Sequence, residues 1–271
     1  VSVLGGVGRA ARAYPSLLRV GFAESVAYRA EMLVWMLTTT MPLVSLALWS
    51  AVAEAAPVGR FTQSRFAAYF LATLVVRQAT SSWIVWEMNQ EIRQGTLSRR
   101  LLKPVHPLVT YSAENLSALP LRAALALPIT LLALVFIEPG ALPRTPLQIG
   151  VLLVSVFGAW LINFFSMAMI GTLAFFFESS TAVFEIWLCA FMLLSGYLVP
   201  LEIFPAWLRD VSAVLPFRYT LAFPVEVMTG MLGGTEMLRN LAIQWAYVVG
   251  TGAVAMIAWR AGLKRFAAFG G

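Results

Sequence analysis

Apolar residues run almost without interruption through most of the chain, and polar residues collect where the runs stop. Six runs approach or exceed the roughly 20 residues that a helix needs to cross a bilayer. They are Met32–Ala53, Phe66–Trp86, Leu116–Ile137, Ile149–Phe177, Ala182–Val199 and Leu241–Trp259. None alternates apolar with polar residues, as a membrane barrel strand does. Backbone groups in lipid must be satisfied within the segment, so each run predicts a helix. Ahead of the first run, Tyr14, Leu17, Leu18, Gly21 and Phe22 fall on one helical face, and Arg12, Ser16, Arg19 and Ala23 on the other. That pattern predicts an amphipathic helix within residues 1–31 lying in the membrane interface, in preference to a solvated cap.

The segment between the fifth and sixth runs, residues 200–238, is too apolar for a solvated loop and too broken for a span. Pro200, Pro205, Pro216 and Pro224 cut it into pieces of two or three helical turns. Such pieces persist at membrane depth only when buried in protein or lining a cavity, so they read as short re-entrant helices. The expected fold is an all-α polytopic membrane protein: one transmembrane domain over residues 1–271, with six spans and a polar loop at 87–107.

Composition agrees: 60% of residues are hydrophobic and 12% charged, the latter about half the fraction in soluble domains. Lys and Arg set the orientation. With the N-terminus inside, the inner segments hold Arg9, Arg12, Arg19, Arg29, Arg93, Arg99, Arg100, Lys103, Arg260, Lys264 and Arg265. The outer ones hold Arg60, Arg65, Arg144, Arg209, Arg218 and Arg239. The excess lies inside, both termini read as cytoplasmic, and residues 200–238 read as outer. The net charge of +6 therefore reports topology and not a nucleic-acid partner. The N-terminus, with its spread arginines, does not read as a secretory signal. Cys189, the single cysteine, allows no intrachain disulfide.

Catalytic signatures are missing. No phosphate-binding loop of the form G-x-x-x-x-G-K-[ST] occurs. His106 is the only histidine, which argues against a metal site and against a His-based triad. Polar residues inside the runs are few: Arg77, Gln78, Arg122, Asn163 and Glu185. Each is costly in lipid and so faces a protein interior or a water-filled path. Arg77 reads equally as a path residue or as a structural partner of Glu185, Glu185 reads rather as structural, and Arg122 as snorkelling or lining an inner vestibule. An ion-coupled secondary transporter is the alternative function, but such carriers show more intramembrane carboxylates and often internal repeats.

The loop "EMNQEIRQGTLSRRLLKPVHP" after the second run has parts. The span continues as a helix past Trp86 through Glu91 and Arg93; Gly95 suits its stop and Thr96 the N-cap of the next helix. The short helix places Leu97 and Leu101 on one face and Arg100 and Lys103 on another, until Pro104 ends it. An apolar ridge flanked by cations suits a protein groove or anionic lipid heads.

The order of these parts resembles the membrane subunit of a type-2 ABC exporter, the ABC-2-type permease family of bacteria. The likeness runs over nearly the whole chain. It rests on the N-terminal helix, the six runs, "IRQGTLSRRLLKPVHPL", and "SGYLVPLEIFPAWLRDVSAVLPFRY" with Gly196, Pro200, Phe204, Pro205, Trp207, Leu208, Leu215, Pro216 and Tyr219. The resemblance implies two copies of an ABC ATPase subunit docked below, which carry the ATP and Mg, and a second permease, identical or paralogous, alongside. It implies export along a path at the dimer interface, lined by the second and fifth spans, in the bacterial inner membrane; the few charges of that path suit an amphipathic or hydrophobic cargo. Under that reading Glu91, Arg93, Gly95, Leu97, Arg99, Arg100, Leu101 and Lys103 couple to the ATPase. Arg77, Gln78, Asn163, Glu185, Gly196 and Tyr197 line the path or gate, and the chain itself binds no cofactor.

Overall fold

The computed structural model describes residues 3–30, 34, 40–137, 143, 145–177 and 180–269. Among them the secondary structure is helical; the one β-type contact is an isolated bridge, Val58 to Phe61, in the turn after the first run. Most of the first half of the Met32–Ala53 run lies outside the described residues, as do Arg144 and two residues of the turn near Glu178–Thr181.

The N-terminal helix α1 is Val3–Ala27, and α2 is Met41–Ala55. The second run forms two helices, α3 (Gln63–Thr80) and α4 (Ile84–Arg93). A short α5 (Leu97–Leu101) follows, then α6 (Pro107–Ser117) and α7 (Leu119–Ile137). Next come α8 (Pro146–Thr172) and α9 (Thr181–Leu194). The outer segment folds as a 3-10 turn (Leu201–Ile203), α10 (Ala206–Val214), α11 (Pro216–Thr220) and α12 (Ala222–Met228). Helix α13 (Gly234–Phe269) completes the chain. Two stretches, Pro146–Phe175 and Gly234–Phe266, are by themselves long and apolar enough to cross a membrane, while α2 and α9 are apolar but shorter.

Helix α3 is the centre. Twelve of its eighteen residues are buried, against α2, α7, α8 and α12. That position explains how a span can hold Arg77 and Gln78: they meet protein and not lipid. Helices α8 and α13 pack through small residues. The Gly158 Cα is backed by the Gln244 side chain, and a Cβ at Gly252 would sit 3.1 Å from the Phe165 ring. Gln244 ties three elements together, its Nε2 donating at 2.8 Å to both Ser155 O and Tyr219 O.

Several sequence boundaries move. The second run does not continue as one helix past Trp86; it breaks at Ser81–Trp83. Hydroxyl-rich Thr80-Ser81-Ser82 competes with helical hydrogen bonding, and other helices take up the freed carbonyls, as described below. The third run divides at Ala118 into α6 and α7, and the fifth helix ends at Leu194, where Gly196 turns the chain with φ +84°. The amphipathic α1 turns Tyr14, Leu17, Leu18 and Gly21 toward the protein, packing on α6 with Tyr14 Oη 3.3 Å from Ser112 Oγ. Phe22 instead stays exposed with Val20 and Val26. In the outer segment each proline stands at or near the start of a helical piece, where a missing N–H costs nothing. Helix α12 is buried along its whole length.

Candidate functional site

Two groups of polar residues stand apart from this apolar scaffold. The first lies in the loop from α4 to α6. Helix α4 ends with Gly95 at φ +71°, its N–H reaching Ile92 O at 3.2 Å. Only glycine adopts this left-handed stop at low cost. Thr96 stands at the N-cap, but its hydroxyl points back to Glu91 O at 3.5 Å and does not cap α5.

Arg100 turns inward. Its Nε donates to both Glu91 oxygens at 2.9 and 2.8 Å, and its Nη1 to Glu114 at 2.7 and 2.9 Å and to Thr110 Oγ1 at 3.1 Å. Its Nη2 pairs with Glu87. The guanidinium lies 4.1 Å over the Tyr111 ring, and Tyr111 Oη donates to Glu91 at 2.6 Å. One cation thus joins α4, α5 and α6 through three carboxylates. The carboxylates outweigh the burial that would otherwise lower the Arg100 pKa, and hold it above its ordinary value. Burial, then repulsion from Glu114, pushes Glu87 up to about 8 against the opposing pull of Arg100. Burial and the bond to Glu91 raise Tyr111.

The predicted ridge is therefore reoriented. Leu97 is fully buried and Leu101 half-buried, because Arg100 draws that face onto α4 and α6. The outward surface carries Arg93, Arg99 and Lys103, with Leu102 86% exposed among them. His106 accepts from Leu108 N through Nδ1 at 3.2 Å and so caps α6. Burial lowers its pKa, with Arg260 adding to the effect, and the neutral ring can accept.

The second group surrounds the break between α3 and α4. Ser81 N reaches back to Arg77 O at 3.0 Å. Arg122 donates from Nη1 to Ser81 Oγ at 2.6 Å and Ser81 O at 3.3 Å, and from Nη2 to Asn115 O at 2.9 Å. Asn163 Nδ2 donates to Thr80 O at 3.2 Å. Irregular backbone is thereby satisfied inside the protein, as a membrane environment requires. Gln78 is buried beside Arg77.

Arg77 points toward α9, its Cζ 4.6 Å above the Phe191 ring and 5.9 Å from that of Tyr197. These rings belong to a ladder. Trp86, Phe184, Trp187, Phe191 and Tyr197 follow one another at centroid separations of 5.7, 6.3, 5.4 and 5.6 Å. Gly196 anchors its Tyr197 end. Its carbonyl accepts from Tyr69 Oη at 2.9 Å, and a Cβ there would lie 2.4 Å from that oxygen.

Of the six path candidates, Arg77, Gln78 and Asn163 gather at the break, and Tyr197 and Gly196 join them through the ladder. Glu185 does not. It is exposed on the far face of α9, and no ion pair joins it to Arg77 among the described residues, so the Arg77–Glu185 pairing expected from sequence is replaced by cation–π contacts. Glu87, Glu114 and Tyr111 join the site beyond the residues expected from sequence, and Arg122, expected to snorkel or to line an inner vestibule, braces the break. The Glu87/Glu91 spacing of four was a visible sign of a carboxylate face; the return of Glu114 to it was not.

The profile of the ABC-2 family transporter protein matches residues 30–270. A search of curated proteins returned no match. The match covers nearly all of the chain, including both polar groups; the family is the membrane component of ABC transporters, whose association with an ABC ATPase it implies, and this chain belongs to it.

Proposed function

We propose that the chain is the permease of an ATP-driven exporter of amphipathic or hydrophobic molecules, lying in the bacterial inner membrane with both termini cytoplasmic and six spans. Two ATPase subunits, which bind ATP and Mg, dock on the loop at residues 87–107. A second permease, identical or paralogous, packs alongside, and the path runs between the two. Membership of the ABC-2 family leaves no ground for the self-sufficient ion-coupled carrier.

One observation carries this reading. Arg100 pins α5 to α4, the continuation of the central helix α3. Force applied at α5 is then delivered to the break at Ser81–Trp83 and to the ladder. The outward Arg93, Arg99, Leu102 and Lys103 supply an apolar contact ringed by cations for the ATPase. The exposed face of α9, with Ala182, Glu185, Ile186, Cys189 and Leu193, suits the second permease, which would also give Glu185 a partner. Exposed Trp207, Val211 and Val214 on α10 suit the outer interface, and the wholly buried α12 supports a re-entrant outer segment.

The test is co-purification of an ATPase subunit. Leu102→Ala with Arg99→Ala and Lys103→Ala should abolish capture while the chain still inserts. Intact assembly and ATP-dependent transport in that variant would sink the docking surface. Cys189, alone in the chain and exposed on α9, separates the two dimer types. Oxidative crosslinking to a disulfide-linked pair of this chain supports a homodimer, and a mixed product a paralogous pair.

A further inference from the structure

The break between α3 and α4 holds more positive charge than its structure uses. Arg122 satisfies the Ser81 hydroxyl and carbonyl and the Asn115 carbonyl. The Arg77 side chain makes no hydrogen bond to the break, yet the residue is 93% buried, as Arg122 is 92%. No carboxylate pairs with either guanidinium among the described residues. Both Nε–H groups and the Ser82 hydroxyl are buried without a partner. Placing one cation in a span costs a few kcal/mol; a second beside it adds repulsion, and neither is offset by an acid.

Position adds to the argument. With Gln63 at the outer surface, Arg77 and Thr80 lie about 21 and 26 Å along the helix, in the cytoplasmic half of the membrane. Arg122 is in the first turn of α7, which starts from the same side. Beside Arg77 runs the aromatic ladder, from Trp86 to Tyr197, with Phe191 4.6 Å from the guanidinium. Helix α9, which carries most of it, buries only Phe184 and Phe191 and lies between Arg77 and the face assigned to the second permease.

We propose that Arg77 and Arg122 recognise an anionic headgroup, so that the cargo is an amphiphile with a phosphate, sulfate or carboxylate at one end and an apolar body along the ladder. Guanidinium groups that each keep a free Nε–H suit such oxyanions, and the rings supply apolar contact that a cationic headgroup would equally enjoy. Only charge at the head distinguishes the two. This inference rests on the path reading above and narrows its cargo.

The experiment uses the purified permease complex in phosphatidylcholine nanodiscs. Dodecyl phosphate, dodecyltrimethylammonium and inorganic phosphate are titrated against tryptophan fluorescence. Dodecyl phosphate should bind at least about tenfold more tightly than the ammonium compound. Arg77→Gln and Arg122→Gln should each remove most of that preference, and Arg122→Lys should retain part of it. Arg239→Gln, an exposed cation on the outer side, should leave it intact. Should a glutamine variant fail to fold, the wild-type preference and the lysine variant still decide. Equal affinity for the two amphiphiles, a preference unchanged in both glutamine variants, or inorganic phosphate binding as tightly as dodecyl phosphate would overturn the proposal. ATPase co-purification and amphiphile-stimulated ATP turnover by the same complex report on the exporter reading separately. Their loss with headgroup preference intact defeats only that reading, and their presence without preference defeats only this one.

Discussion

Arg100→Ala tests whether the loop is held from within. The substitution deletes charge-assisted hydrogen bonds to Glu91 and Glu114, the pair with Glu87 and the stack on Tyr111. Each charge-assisted bond is worth about 1.5–3 kcal/mol. Their sum is not the answer, because the bonds share one donor and the carboxylates keep some solvent: the Glu87 and Glu114 side chains are 41% and 33% exposed, against 11% for Arg100. Removing one partner of a buried ion pair costs about 3–5 kcal/mol. Screening at the exposed carboxylates brings the figure to the low end, about 3 kcal/mol. The cost falls locally, on the contact of α5 with α4 and α6.

Hydrogen exchange reads that cost directly. Local opening by about 3 kcal/mol lowers amide protection roughly a hundredfold, and the loss should appear at residues 97–102 while the α8 and α13 amides keep theirs. Arg99→Ala is the matched control. Arg99 is exposed and no ion pair involves it among the described residues, so its removal should change protection by less than about 0.5 kcal/mol. Arg100→Lys keeps the charge but loses the fork and should fall between the two. Equal protection in Arg100→Ala and Arg99→Ala would refute the internal clamp, and with it the claim that α5 moves with α4.

The same cluster should sense pH. Glu87 has a folded pKa raised to about 8, so the folded loop binds more protons than the unfolded one between about pH 4.5 and 8 and loses stability as pH rises through that window. Its half-exposed carboxyl keeps the effect small, and Glu87→Gln should flatten the pH dependence of exchange at residues 97–102. Gly196→Ala should destabilise by more than about 2 kcal/mol, since φ +84° and the Tyr69 hydroxyl 2.4 Å from the new Cβ act together. Gly95→Ala, with φ +71° and open space around it, should cost about 1 kcal/mol. Thermal unfolding in detergent that ranked the two the other way would contradict the close approach at Gly196. Tyr69→Phe should leave Gly196 O without its donor and lower thermal stability by about 1 kcal/mol.

What the sequence made legible follows from the range of each cause. The stop at Gly95 and the proline-divided segment at residues 200–238 depend on neighbours a few residues away, and the structure has them where the pattern placed them. Side-chain direction in the loop depends on residues fourteen positions on. Arg100 and Lys103 share a helical face by spacing, yet Glu114 returns on α6 to take Arg100 inward and leave Lys103 outside. The three-residue spacing of Arg100 and Lys103 could not reveal that. The same holds at the broken span. Thr80-Ser81-Ser82 is only a weak helix breaker in isolation, and it becomes a break because Arg122 and Asn163 arrive from two other helices to donate hydrogen bonds to its carbonyls.

That origin sharpens the role of the break. A helix interrupted by its own sequence stays interrupted, whereas this one is interrupted by partners that can leave. Ser81 and Thr80 would regain helical partners if α7 or α8 shifted relative to α3, and the freed Arg122 would stand beside Arg77 with all its donors unspent. Since α4 is tied through Arg100 to the loop proposed to receive the ATPase, a small displacement there bears first on this hydrogen-bonded joint. Ser81→Ala separates joint from scaffold. It removes the 2.6 Å bond to Arg122 while leaving the backbone carbonyl in place. A joint should lose the ATP dependence of transport with thermal stability lowered by only about 1 kcal/mol. A scaffold should lose stability and transport in parallel, and that result would return the break to simple packing.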